Sequence, residues 1–219
     1  MSAKLYIFDL DGTLLDTLTD IADAANRALA QLGLPIHPTS AYNYFVGDGM
    51  QTLVQRIVPK GVAPTTIAKC IEIFQHEYGQ CWHSTSKPYD GITAMLASMA
   101  QGKIPMAILS NKPHHFTEIC ATRYFPNQPF ALVFGHRPNT AKKPDPASAL
   151  EIAATLGYSP ATSVFVGDTA VDMQTGKAAG MFTIGVTWGF RDRAELEANQ
   201  ADLIVSKPQE ISEHALCTS

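Results

Sequence analysis

The sequence predicts an α/β fold, a parallel sheet with helices on both faces and a small helical domain inserted after the first strand. Three observations carry this reading. Short apolar runs rich in β-branched and aromatic residues recur along the chain, and amphipathic stretches separate the later ones. The first run is followed by roughly seventy residues of helical pattern with no strand among them, too many for one crossover connection.

The first run, Leu5-Tyr-Ile-Phe8, reads as a strand buried on both faces. Thr17 to Leu32 then places Leu18, Ile21, Ala22, Ala25, Leu29 and Leu32 at helical spacing, with Gly33 as the stop. The stripe Ala22, Ala25, Ala28 suits close helix packing. Helical patterns continue through Gly49–Val58 and Pro64–Trp82, and no strand is evident before Ile104. Asp16 to Ser86 therefore reads as a separate helical domain, rejoined through the turn-like Lys87-Pro-Tyr-Asp-Gly91. Residues 1–15 and 87–219 form the α/β core. Its further strands, likewise read as buried on both faces, lie at Pro105–Leu109, Phe130–Phe134, Ser163–Val166, Phe182–Val186 and Asp202–Val205. Pro146–Leu156 before Gly157 and Val171–Ala179 before Gly180 read as helices ending in the glycine a C-terminus favours.

The composition narrows the function. The 219 residues carry 16 Lys+Arg against 20 Asp+Glu, a net charge of −4, with 46% hydrophobic residues. Such a chain buries a full core, and its longest basic run is Lys142-Lys143, so neither nucleic acid nor an anionic membrane is an expected partner. Cys70, Cys81, Cys120 and Cys217 form no CxxC pair, which suits free thiols in a reducing compartment. Asp9 interrupts the first apolar run too early for a signal peptide or a membrane span, so the expected location is cytoplasmic.

Polar residues cluster just past the apolar runs: Asp9 and Asp11 after the first, Ser110 after the second, Gly167-Asp168 after the fourth. Each alone is ordinary turn chemistry. In an open parallel sheet, however, the carboxyl ends of the strands form the ligand crevice, which would bring these distant segments to one site. Asp9-x-Asp11-Gly12-Thr13 is expected by chance in about one of several hundred chains of this size. Here it follows a strand, and Ser110, Lys143-Pro144 and Gly167-Asp168-x-x-x-Asp172 come after it in order.

In these motifs the chain resembles the haloacid-dehalogenase-type phosphatases, whose pattern is a strand ending in DxDGT, a second ending in Ser/Thr, a Lys-Pro, and a strand ending in GDxxxD. The resemblance covers the whole chain and implies a Rossmann-like α/β core with a helical cap. It makes Asp9 the nucleophile and Asp11 the general acid/base, while Ser110 and Lys143 hold the phosphoryl group. It also makes Asp9, Asp11, Asp168 and Asp172 the magnesium site, Asp172 through water. Lys142 is the rival for Lys143, but the family's lysine directly precedes Pro. Thr13 favours hydrolysis, since related phosphomutases tend to carry Val there; a hydroxyl that ties the loop together is the plainer role.

Electrostatics supports these roles. A carboxylate approaching a phosphate dianion at 4 Å is repelled by about 8 kcal/mol at an effective dielectric near 20. A hard dication held by oxygen ligands, with one lysine ammonium, supplies the opposing charge. Asp9 then attacks phosphorus in line to give an aspartyl-phosphate. Asp11 protonates the leaving alkoxide and later deprotonates water, which requires its carboxyl to be protonated when substrate arrives.

The stretch Phe45-Val-Gly-Asp-Gly49 with Leu53-Val-Gln-Arg56 is similar to a segment of bacterial phosphoglycolate phosphatases, as are Ser110-Asn111-Lys112-Pro113 and Trp188-Gly189-Phe190. The expected ligand is thus a small phosphorylated metabolite, 2-phosphoglycolate first, contacted by Thr13, Gly47, Gly49, Arg56 and Asn111. Glycines would let backbone N–H groups face an anion, and Arg56 could pair bidentately with a carboxylate. The plainer readings are helix breaks and a solvated arginine. Alternatives are a sugar-phosphate phosphatase, a pyrophosphatase, a phosphomutase, or a phospho-accepting signalling module. Monomer and homodimer both remain open. His114 and His115 face different sides of a helix and suit surface or capping roles.

Overall fold

The computed structural model describes residues 4–217; the outermost residues of the expected core boundaries lie outside the described residues. The chain begins with β1 (Leu5–Phe8) and β2 (Leu15–Asp16), then enters α1 (Leu18–Gln31), α2 (Tyr42–Phe45), α3 (Met50–Ile57) and α4 (Pro64–Cys81). It returns through β3 (Lys87–Pro88) to α5 (Ile92–Gln101), β4 (Met106–Pro113), α6 (His114–Tyr124) and β5 (Phe130–His136). It ends with α7 (Ala147–Thr155), β6 (Ser163–Gly167), α8 (Ala170–Ala178), β7 (Phe182–Val186), α9 (Arg193–Ala198), β8 (Leu203–Val205) and α10 (Pro208–Cys217).

Six strands form one parallel sheet in the order β5-β4-β1-β6-β7-β8. Strand β1 is central, with Tyr6 level with Met106 on one side and Val164 on the other. Its side chains alternate between two cores, as a period of two requires. Tyr6 and Phe8 join α5 through Ile92, Met95 and Leu96. Leu5 and Ile7 join α7 through Ala149 and Ile152. From β1 the chain later builds β4 and β5 outward on one side and β6, β7 and β8 on the other, so the strand order reverses beside β1. That is where an open α/β sheet forms its crevice.

Three details differ from the sequence reading. A short strand pair, β2 with β3, stands before Ile104 where none was expected, because two residues on each side are too few to show a strand period. Strand β5 is not buried on both faces; it is an edge strand paired only with β4, and of its seven residues only Gly135 is buried. Strand β4 does not end before Ser110 but runs on to Pro113, with its register against β5 shifting between Leu109 and Pro113. The irregular end carries Ser110, Asn111 and Lys112 into the crevice.

Helices α1–α4 share a core of their own, in which Ala22, Ala25 and Ala28 of α1 lie with Phe74 and Tyr78 of α4. The small side chains of α1 let α4 lie close against it. Phe190, beyond the sheet's carboxyl edge, completes this cluster. Where the chain leaves and returns, β2 and β3 pair antiparallel, Leu15 with Pro88 and Asp16 with Lys87. Next to that pair the buried Asp20 carboxylate accepts from the backbone N–H and hydroxyl groups of both Thr85 and Ser86. Gly157 and Gly180 take positive φ (78° and 71°) after α7 and α8, as helix-ending glycines do. No helix among the described residues is long and apolar enough to cross a membrane.

Candidate active site

The Asp9 N–H donates to Val166 O at 2.9 Å, extending the β1–β6 ladder by one residue and fixing where the carboxylate emerges. Gly12 turns the chain away at φ 90°. A Cβ there would fall on the Asp168 carboxylate, as would one at Gly189, so both glycines let backbone close around that side chain. Asp168 accepts from Thr13 Oγ1 at 2.9 Å and from the Phe190 N–H at 2.8 Å. Asp172 sits in the first turn of α8 and forms a capping box with Thr169, whose hydroxyl donates to Oδ2 at 2.8 Å.

The Lys143 ammonium is buried among these acids, 2.8 Å from Asp9 Oδ1 and 2.7 Å from Asp172 Oδ1. Of the two adjacent lysines it takes the inner position, clamped through its backbone. The Lys143 N–H donates to Asn111 Oδ1 at 2.9 Å, and Asn111 Nδ2 donates to Lys143 O at 3.0 Å. The same Nδ2 donates to Gly47 O at 3.1 Å, fastening the α2–α3 loop to the sheet.

Asp9, Asp168 and Asp172 are buried and place carboxylate oxygens within 4.8 Å of one another. Three acids against one ammonium leave the cluster short of positive charge. Burial, against the pull of Lys143, pushes Asp9 up to about 7, with Asp172 and Asp11 adding to the rise. Asp168 is held well above the usual carboxylate range by burial and by its neighbours Asp172 and Asp9. Burial lowers Lys143, but Asp172 and Asp9 more than offset it and hold the ammonium above the ordinary lysine value. Although Lys143 lies close, Asp9 Oδ1 is buried without a well-directed hydrogen bond, leaving a lone pair for another ligand. An all-oxygen, electron-rich cluster of this kind fits a hard divalent cation.

The remaining expected site residues divide. Asp11 does not turn its carboxylate into the cluster. It accepts from Thr17 Oγ1 at 2.8 Å, and Lys112 Nζ reaches its two oxygens at 2.9 and 3.0 Å. Its partners here are a lysine and a hydroxyl rather than the acids of the cluster. Thr13 is spent on Asp168 and is 1% exposed. Arg56 does not line the cavity: it pairs with Asp48 at 2.6 Å and donates to Phe45 O at 3.1 Å. A carboxylate eight residues back in its own loop is a nearer partner than any ligand.

Beside Asp9 lies a cavity of about 60 Å³, bounded on the sheet side by Asp9, Asp11, Ser110, Asn111 and Lys112. Ile21, Met50, Leu53, Phe74 and Tyr78 face it from the helices, and Gly47 and Gly49 line it from the loop. A Cβ on Gly49 would stand 3.1 Å from Asn111 O and from Lys142 Nζ, so this glycine permits the close approach of loop and sheet. Only a small ligand fits such a volume. The sequence reading quoted Lys112 and helix α4 but gave neither Lys112 nor Tyr78 a role; Tyr78 merely continues the apolar face of α4, and nothing in its spacing reveals the lysine it meets.

The haloacid dehalogenase-like hydrolase family model matches residues 6–186, a range that contains Asp9, Asp11, Ser110, Lys143, Asp168 and Asp172. The chain belongs to the haloacid dehalogenase-like hydrolases. Among curated members of this hydrolase family, it is 31% identical over 207 residues to a protein of Pseudomonas putida KT2440 named phosphoglycolate phosphatase, covering 92% of this chain and 76% of the relative. It is 32% identical over 203 residues to the phosphoglycolate phosphatase of Pectobacterium atrosepticum, covering 91% and 87%. A crystal structure of a Lactobacillus delbrueckii subsp. bulgaricus protein provisionally assigned the same name superposes with a TM-score of 0.93 at 28% identity, covering 99% of both chains. With relatives named so, this haloacid dehalogenase-like hydrolase is an enzyme of phosphatase type.

Proposed function

We propose that the protein is a magnesium-dependent phosphomonoesterase that hydrolyses 2-phosphoglycolate through an aspartyl-phosphate on Asp9. The observation that carries this is the position of Asp9, beside Lys143, Asp168 and Asp172 and at the edge of a small cavity. Magnesium bound by Asp9 and Asp168, with Asp172 behind, would supply positive charge to the phosphoryl oxygens. Lys143 neutralises part of the charge on Asp9, and the Ser110 hydroxyl lines the cavity where it can donate to a phosphoryl oxygen. Asp11, two positions beyond the nucleophile, is the group available to move the proton of the leaving alcohol.

The names of the relatives support phosphoglycolate, as do the size of the cavity and its apolar helical wall, which offers few partners for the hydroxyls of a sugar. We read residues 16–86 as a cap that closes over the crevice, hinged at the β2–β3 pair, and place the protein in the cytoplasm, where its free cysteines would stay reduced.

A panel of phosphate esters assayed with magnesium and with chelator tests the reading. Phosphoglycolate should turn over fastest and only with metal. Asp9→Asn should abolish turnover and covalent labelling, and Asp11→Asn should lower turnover by orders of magnitude in a folded protein. Faster turnover of sugar phosphates rejects the substrate, and full activity in chelator rejects the chemistry.

A further inference from the structure

We propose that Lys112 is the residue that reads a second negative charge on the substrate, and that it selects esters carrying a carboxylate one carbon from the ester oxygen. This rests on the phosphatase reading above and deepens it.

The supply of cations points to this residue. Among the side chains lining the cavity, Lys112 is the only basic one. Lys143 is committed to Asp9 and Asp172, Arg56 faces Asp48, and Arg191 is held by Glu195 at 3.2 Å and by Val46 O at 3.0 Å. The helical wall offers Ile21, Met50, Leu53 and Phe74, which suit a methylene but not a charge. A carboxylate brought into this space unpaired would lose its hydration without compensation; Lys112 is the one cation whose side chain lines the cavity, Lys142 lying behind Gly49 and outside that lining.

The placement fits as well. Lys112 Nζ is 2.9 Å from Asp11, the residue expected to serve the ester oxygen. In a 2-phosphocarboxylate the ester oxygen and the carboxylate flank a single carbon, so neighbouring groups on the protein face neighbouring groups on the ligand.

The lysine also has the capacity. An ammonium has three donors. Two go to the two oxygens of Asp11 and one to the Tyr78 hydroxyl at 2.7 Å. Turning one of the Asp11 bonds toward a ligand leaves Asp11 tethered by the other and by Thr17. Tyr78 belongs to α4, so the helical insertion aims the ammonium. Opposite charges meeting beside an apolar wall give the strong, short hydrogen bonds that separate close analogues.

The test compares kcat/KM for 2-phosphoglycolate and ethyl phosphate, which differ only in the carboxylate. Wild type should prefer phosphoglycolate by about 100-fold or more. In Lys112→Met that ratio should fall at least about tenfold, mainly through KM for phosphoglycolate, and Lys112→Arg should recover part of it. Should the Met variant not fold, as judged by circular dichroism, Lys112→Gln keeps a donor on a stem one atom shorter, loses the charge and should show the same loss of preference. A wild-type preference that survives loss of the lysine overturns the inference. So does an equal fall for both esters, which would make Lys112 a support for Asp11 and nothing more. A wild type that hydrolyses both esters without preference rejects phosphoglycolate as the substrate, and the inference with it.

Discussion

The Lys143 ammonium lies 2.7 Å from the Asp172 carboxylate, with both side chains almost wholly buried. The same nitrogen serves Asp9, so one cation stands between two acids that would otherwise repel across the crevice. Lys143→Ala should therefore destabilise the metal-free protein by about 3 kcal/mol, because it leaves buried charges uncompensated. Urea unfolding in chelator measures the loss, and added magnesium should recover part of it.

The pH dependence follows from Asp9 and Asp168. Both carboxyls lie above their ordinary range, Asp9 at about 7, so the folded metal-free protein holds more protons than the unfolded chain. That contribution to stability is full below the ordinary carboxylate range and is lost as pH rises through about 7. A dication displaces those protons, and its affinity should rise over the same window. The magnesium-induced increase in Tm should thus be larger near about pH 8 than near about pH 5; equal increments at both would contradict it.

Gly12→Ala puts a methyl group where Asp168 now lies, at a backbone angle that favours glycine. The carboxylate must move out of the cluster. Magnesium binding by calorimetry should weaken by at least about tenfold, while far-ultraviolet circular dichroism stays close to wild type.

Asp20 ties the start of α1 to the returning chain through Thr85 and Ser86. Burial raises this carboxyl, but the hydrogen bonds from Ser86 and Thr85 outweigh it and hold it below its ordinary value. Asp20→Ala should cost about 2 kcal/mol by leaving those donors unpaired. A lowered carboxyl contributes its stability above the ordinary range and loses it as pH falls through the lowered value, so the gap from wild type should narrow in strong acid. Denaturant titrations across acidic pH check both.

Much of the site was legible before any coordinates. Leu5–Phe8 is a run of four apolar residues that only a central strand buries on both faces, and the acids just past it are then placed by the geometry of a parallel sheet. The resemblance's Lys-Pro pattern favoured Lys143 of the two adjacent lysines, and Lys143 is the one that lies beside Asp9 and Asp172. Arg56, offered as a carboxylate partner with a solvated arginine as the plainer reading, pairs with Asp48, and that pairing depends on how the loop folds, which no spacing rule encodes. Asn111 read as a ligand contact, yet its amide bonds Lys143 and Gly47, partners 32 and 64 positions away. The two-faced burial expected of β5 failed because hydrophobicity marks a strand without saying whether it lies at an edge.

The order of apolar runs, the helical insertion and the spacing of Asp9, Asp11, Ser110, Lys143, Asp168 and Asp172 are properties of the chain alone, since local periodicity and strand ends determine them. Which carboxylates converge is a different matter. Asp9, Asp168 and Asp172 draw together while Asp11 turns to Lys112, and Tyr78 comes from α4 to meet that lysine. Those choices belong to the tertiary structure, because they depend on distances between elements that only packing sets and on buried charges finding the counter-charge nearest in space rather than in sequence.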